Sequence, residues 1–282
     1  MISHDECKKC CTDQVHRLAS MLGIDPTPVL ELVEKEFKRG KIKTAPEYAE
    51  LIFRTFHKHT GVLDPYEDIK RESTYEAKRL LPMVEKHAGE RYSGLQKLIE
   101  MAIVGNMIDY GAFHDISIED FIIHALNAPY FKLEIDAFSK DLKDSKKILY
   151  IADNAGEIVF DAILIEEIKK TGKEVTVAVR GEPIINDVTY EDAINAGIDK
   201  HAKIISTGAR IPGIILDKCS KEFIKKYNDA DLVIAKGQGN FETLYFETKK
   251  PKKLYYLFVV KCNSVARLIG SNVKEKVLMK AK

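Results

Sequence analysis

Two periodicities divide this chain. Up to about residue 140, apolar positions recur at three- and four-residue spacing, the signature of amphipathic helices. "DPTPVLELVEKEF" offers Asp25 as an N-cap and Pro26 at the first helical position. "APEYAELIFRTFHKHTG" reads as a helix stopped by Gly61. "DPYEDIKRESTYEAKRLLPMVEKHAG" repeats the Asp-Pro start at Asp64 and Pro65, and Pro82 is expected to kink or divide it. "SGLQKLIEMAIVGNMIDYG" is the most apolar of these helices, and "SIEDFIIHALN" opens with a capping-box pattern from Ser117 to Asp120.

Beyond that point the pattern changes. "KKILYIA", "EVTVAV", "AKIIST", "DLVIAK" and "LYYLFVV" are short runs rich in apolar and β-branched residues. Helical stretches lie between the first four, such as "GEIVFDAILIEEIKKTG" with Gly172 as its stop. Strands alternating with helices imply a parallel sheet covered on both faces. The expected fold is α/β: a helical N-terminal region over 1–140, then a doubly wound, mainly parallel α/β/α domain of Rossmann type over 141–282. The boundary falls near "KDLKDSKK", where charge density rises. There is no internal repeat and no low-complexity tract.

Composition narrows the function. Lysine and arginine number 44 against 43 aspartates and glutamates, so net charge supports neither a nucleic-acid nor a membrane partner. The start "MISHDECKKC" lacks the apolar stretch of a secretory signal. No apolar run approaches the roughly 18 residues of a membrane span. A cytoplasmic setting is expected, and the oligomeric state is not legible. The five cysteines are Cys7, Cys10, Cys11, Cys219 and Cys262; an odd count without an export signal argues against a disulfide framework. "CKKCC" contains a C-x-x-C pair, but a structural zinc site wants a second pair. Free thiols and a metal or redox role both stay open, with His4 or His16 able to complete a site. The other histidines are scattered; His57 and His59 do not share a helix face, and surface positions are expected.

In an open parallel sheet, ligands bind beyond the carboxyl ends of the strands. Three polar clusters fall there. Asp153 and Asn154 follow "ILYIA"; Asn186 and Asp187 lie in the loop after "EVTVAV"; Lys236 closes "DLVIAK" and leads into "GQGNFETL". Asp153, Asn154 and Asp187 together offer two carboxylates and an amide oxygen. That set suits magnesium or manganese and tolerates other divalent ions such as nickel or cobalt. Helix capping and a simple turn explain the same residues equally well on spacing alone. Gly237 and Gly239 let backbone approach an anion, with Lys236 adding charge; a tight turn with a solvated lysine is the alternative. Glu242 is placed to anchor Lys236 or a substrate hydroxyl. Asn106 and Asp109, three apart on one helix face, either reach the site or cap the helix end. Arg180 is placed to clamp a phosphate or to pair within its loop. Glu157, Asn186 and Asn240 complete the candidate substrate-facing set.

These clusters, in this order, resemble the DUF89 family of damage-control phosphatases. The carriers are "GNMIDYG", "DNAGEIVFD", "RGEPIINDVTYEDA" and "KGQGNFETL". The N-terminal "CKKC" and the "GQGNFE" form are similar to the stand-alone microbial branch and to the branch fused to pantothenate kinases. The resemblance implies a metal-dependent phosphatase acting on small phosphorylated metabolites, including sugar phosphates or phosphopantetheine-like compounds. It places metal ligands at Asp153, Asn154 and Asp187, and catalytic roles at Asp153, Asp187 and Lys236. The competing expectations are an S-adenosylmethionine-dependent carboxyl methyltransferase and a non-enzymatic module that binds a phosphorylated ligand.

Overall fold

The structure is a computed structural model that describes residues 4–40, 42, 44–107, 118–251 and 253–282. The chain begins with α1 (His4–Leu22), α2 (Thr27–Arg39), α3 (Ala45–Thr60), α4 (Glu67–Arg91), α5 (Gly94–Met107) and α6 (Ile118–Asn127). Strand β1 (Tyr130–Leu133) and α7 (Ile135–Lys143) follow. The alternating part runs β2 (Lys147–Ile151), α8 (Ile158–Lys170), β3 (Glu174–Val179), α9 (Tyr190–Ala196), β4 (Lys203–Ser206) and α10 (Lys221–Asp229). It continues with β5 (Leu232–Lys236), α11 (Gly237–Leu244), β6 (Leu254–Val259), α12 (Asn263–Ile269) and β7 (Lys276–Lys280). Among the described residues, no helix is long and apolar enough to cross a membrane.

Helix boundaries follow local chemistry. Asp25 acts one position before the predicted start: its carboxylate accepts from the amide and hydroxyl of Thr27, and Pro26 takes the N-cap position. Thr44 and Glu47 form a reciprocal capping box on α3, and Gly61 ends that helix in the left-handed conformation. Helix α4 does not divide at Pro82. It continues because Leu80, Val84 and Ala88, on both sides of the proline, bury into one cluster with α5 and α6. Ser117, the expected partner in the α6 capping box, lies outside the described residues.

Among the described residues, the sheet has seven strands in the order β1-β7-β6-β5-β2-β3-β4. Strands β2 to β6 are mutually parallel. β7 runs antiparallel to β6 and parallel to β1, so the two strands at that edge are reversed. Neither was legible in the sequence. "YFKL" is short and uniformly half-buried, and "KVLMK" carries lysines at both ends. Lys276 is nonetheless buried, its ammonium donating to Glu100 Oε2 and the Leu126 carbonyl, both at 2.9 Å.

Helices α5, α7, α8 and α9 pack on one face of the sheet. Helices α10, α11 and α12 cover the other. Every strand from β2 to β6 is therefore buried on both sides, which is why these strands read as continuous apolar runs. Helices α1, α2 and α3 build a separate cluster that also holds Ile184 from the loop after β3. The helical first half thus reaches the carboxyl ends of the strands. β1 joins the sheet from a position before residue 140, and α5 belongs to one of its covering layers.

Candidate active site

The connections from β2 and β5 leave this neighbouring pair toward opposite sides of the sheet, making a crevice at their carboxyl ends. Asp153 follows β2 and Gly237 follows β5. They touch closely: a Cβ added to Gly237, whose φ is +76°, would lie 1.9 Å from Asp153 Oδ2. Only glycine fits there. The loop after β3 delivers the second acid. Ile185 has a φ of +48°, a strained value for a β-branched residue. Buried Ile184 holds this turn against α1–α3, and Asn186 and Asp187 are thereby directed toward β2. An antiparallel bridge joins Asn154 to Asp187, and the Val188 amide donates to the Asp153 carbonyl at 2.8 Å.

Asp153 and Asp187 converge on one guanidinium. Arg180 Nε donates to Asp187 Oδ2 at 2.6 Å, and its Nη2 lies 3.6 Å from Asp153 Oδ1. Arg180 Nη1 donates to Asn240 Oδ1 at 3.1 Å, while Nη2 has no hydrogen-bond partner among the described residues. Asn106 Nδ2 donates to Glu157 Oε2 at 2.8 Å and to Asp153 Oδ2 at 3.4 Å; its Oδ1 accepts from the Val259 amide. Asp109 lies outside the described residues. Asn240 Nδ2 donates to the carbonyls of Ala152 and Lys236, tying β2 to β5. Asn106 and Asn240 are therefore spent on positioning the carboxylates and the backbone around them, whereas Arg180 holds Asp187 and keeps one donor unused.

Lys236 departs from the expectation of a cation facing an anion. It is fully buried, and its ammonium donates to Glu157 Oε1 (2.5 Å), Asp161 Oδ1 (2.6 Å) and the Ala102 carbonyl (2.9 Å). All three of its donors are used inside the protein. Nor does Glu242 pair with Lys236: it accepts from Gln238 Nε2 at 2.7 Å. Gly239 is packed so tightly against the Pro212 carbonyl that a Cβ would sit 2.2 Å from it.

The four buried carboxylates Asp153, Glu157, Asp161 and Asp187 face two buried cations, Arg180 and Lys236. With all of them ionised, two negative charges stay uncompensated by these buried cations. Burial, Asp187 and Glu157 push the Asp153 carboxyl up to about 8. Burial likewise raises Asp187, against the pull of Arg180. Asp153, Asn154 and Asp187 all line one cavity of about 340 Å³. Lys261, exposed at the edge of the cavity, offsets part of this charge, and a cation bound beside the aspartates would offset the remainder. Asn154 Nδ2 donates to Asp153 Oδ2 and Glu157 Oε2, which leaves its carbonyl oxygen free to act as a ligand. Among the described residues, no three His, Cys, Asp or Glu side chains form a ready-made cage. Two carboxylates and a carboxamide nonetheless fit a hard cation that takes its other ligands from water and phosphate.

Over residues 3–277 the sequence matches the family described as "Damage-control phosphatase ARMT1-like domain". The chain belongs to this family. A damage-control phosphatase of Pyrococcus horikoshii is 34% identical, covering 93% of this chain and 92% of its own. One from Archaeoglobus fulgidus is 34% identical over 96% of each. A Methanocaldococcus jannaschii protein is 40% identical over 98% of this chain and 94% of its own. The crystal structure of a DUF89 family protein from P. horikoshii matches with a TM-score of 0.86 at 34% identity, covering 100% of both chains.

Several residues of this family member escaped the sequence reading. Asp161 stands alone as a carboxylate on the buried face of α8, and that isolation was the available signal. Lys261 and Cys262 line the cavity from the end of β6, where the strand-end rule would have found them. Helix α1 forms the opposite wall with Glu6, Cys7, Cys10 and Cys11. All five cysteines are free. Burial, with Glu242 and the neighbouring thiols, pushes Cys7 up to about 11, and Cys10 and Cys11 are raised as well. The wall is thus made of protonated, weakly reactive thiols. His87 is a correction to the surface assignment: it is buried, and its ring bridges Glu90 and Glu119.

Proposed function

We propose that this protein is a divalent-metal-dependent phosphatase of small phosphorylated metabolites. Its family and its damage-control phosphatase relatives support phosphatase activity. The observation that carries metal dependence is the buried deficit of positive charge beside Asp153, Asn154 and Asp187. These three residues would hold magnesium, manganese or a similar divalent ion. Such an ion supplies Lewis-acid polarisation of a phosphoryl oxygen.

The chain's own groups do the rest. Asn106 and Arg180 fix the two aspartates, so the site needs little reorganisation as charge develops. The start of α11 faces the cavity at Gln238 and Gly239, where the positive end of the helix favours phosphoryl oxygens. Lys236 offsets Glu157 and Asp161 behind the ligands rather than touching substrate. A cavity of about 340 Å³ accommodates a small ester such as a sugar phosphate, and a phosphopantetheine-like compound would extend beyond it.

The test is a phosphoester panel assayed with and without divalent ions. Chelation should abolish phosphate release, and manganese or magnesium should restore it. Asp153→Ala should lose the activity while keeping the fold by circular dichroism. Full activity in that variant overturns the assignment. Saturable binding of an ester without turnover would favour a non-catalytic binding module.

A further inference from the structure

Glu242 is a buried acid that takes no part in holding the metal or in compensating Lys236. It is 6% exposed, lines the cavity, and its Oε2 has no hydrogen-bond partner among the described residues. Its other oxygen is held by Gln238, whose own Oε1 accepts from the Lys261 amide at 2.8 Å. The side chain is thus anchored at one oxygen to the loop after β6 and free at the other. A buried carboxyl oxygen left without a partner is costly, and a ligand in the cavity is what would satisfy it.

We propose that Glu242 is the general acid of the reaction, protonating the leaving-group oxygen of the phosphate ester. This rests on the phosphatase reading above. The geometry follows from α11. Gly237 at its start abuts Asp153, and Glu242 lies five residues on, about 7–8 Å along the axis. Asp153 and Glu242 line the same cavity, so a phosphate ester bound there lies within reach of both. The Glu242 Oε2 atom, without a partner among the described residues, is the carboxyl oxygen this cavity offers to the ester oxygen. Among the described residues, no cation forms an ion pair with this carboxyl. Burial alone raises it, to about 7, against the Gln238 hydrogen bond, which suits a proton donor at neutral pH. The charged and titratable groups that share its cavity are Glu6, Cys7, Cys10 and Cys11 on α1, Lys261 and Cys262 after β6, and Asp153 and Asp187.

The proton balance closes. Water adds to phosphorus as the bond from phosphorus to the ester oxygen breaks. That bond's electron pair stays on the leaving oxygen, which takes the Glu242 proton. The attacking water yields its proton to solvent, and Glu242 regains one from solvent. Alcohol and inorganic phosphate leave, and the enzyme is unchanged.

The test compares leaving groups. Glycerol phosphate must expel a strongly basic alkoxide, whereas p-nitrophenyl phosphate expels a stable phenolate. With Glu242→Gln, kcat for glycerol phosphate should fall by about 100-fold or more, and kcat for p-nitrophenyl phosphate should stay within about threefold. The wild-type enzyme should lose kcat/KM for glycerol phosphate as pH rises past about 7, and this limb should be absent for p-nitrophenyl phosphate. An equal fall for both esters means Glu242 is structural and overturns the proposal, as does no fall for either. If the wild-type enzyme with manganese or magnesium hydrolyses neither ester nor any other in the panel, the phosphatase reading fails first and this assignment falls with it.

Discussion

Gly237→Ala isolates the contact on which the site is built. The position has a φ of +76°, so any L side chain costs about 1–2 kcal/mol in backbone strain. The added methyl would stand 1.9 Å from Asp153 Oδ2 and 2.1 Å from its Cγ. Restoring an ordinary contact of about 3.5 Å requires the carboxyl to retreat by about 1.5 Å. Displacing a reacting group by about 1 Å costs about 100-fold in rate. Gly172 provides the control, since its φ is +82° but nothing lies within 4 Å of the added methyl. Gly172→Ala should lose about 1–2 kcal/mol by urea unfolding and keep full activity. Gly237→Ala should lose about 2–4 kcal/mol, with phosphate release down by about 100-fold or more. Equal activities in the two variants would refute the claim that the close approach at Gly237 positions Asp153.

Other outcomes follow from the buried charges. Lys236→Met leaves Glu157 and Asp161 without their cation and should destabilise the protein by about 3–5 kcal/mol in urea; adding Glu157→Gln and Asp161→Asn should recover most of the loss. Asp187→Asn should remove metal-dependent turnover and weaken divalent-ion binding by calorimetry, with the helix content unchanged. Glu242 has a raised folded-state pKa, so its stabilising contribution is complete below its ordinary value of 4.5 and is lost as pH rises to about 7. Glu242→Gln should therefore gain stability over the parent protein as pH rises from 4.5 to about 7, approaching about 3 kcal/mol above that window; urea titrations at about pH 5 and about pH 8 measure the difference.

The local chain chemistry determined a great deal. Helical and strand periods are properties of neighbouring residues, so most of the first-half helices and the strands β2 to β6 were readable, as was their parallel direction. Parallel order in turn placed Asp153, Asn154, Asn186, Asp187 and Lys236 at the carboxyl ends of strands.

Tertiary structure decided the rest. Whether Lys236 faces an anion or a buried carboxylate pair depends on α8 packing beside β5, and Asp161 is 75 residues away in sequence. The reversed edge strands β1 and β7 depend on partners rather than on their own short patterns. The thiol wall of the cavity exists only because α1 docks beside the loop after β6, with Glu6 bonded to Ser264, 258 positions along the chain. Sequence periodicity records which face of an element is buried. It does not record which element buries it, because long-range contacts are set by packing and charge compensation across the whole fold.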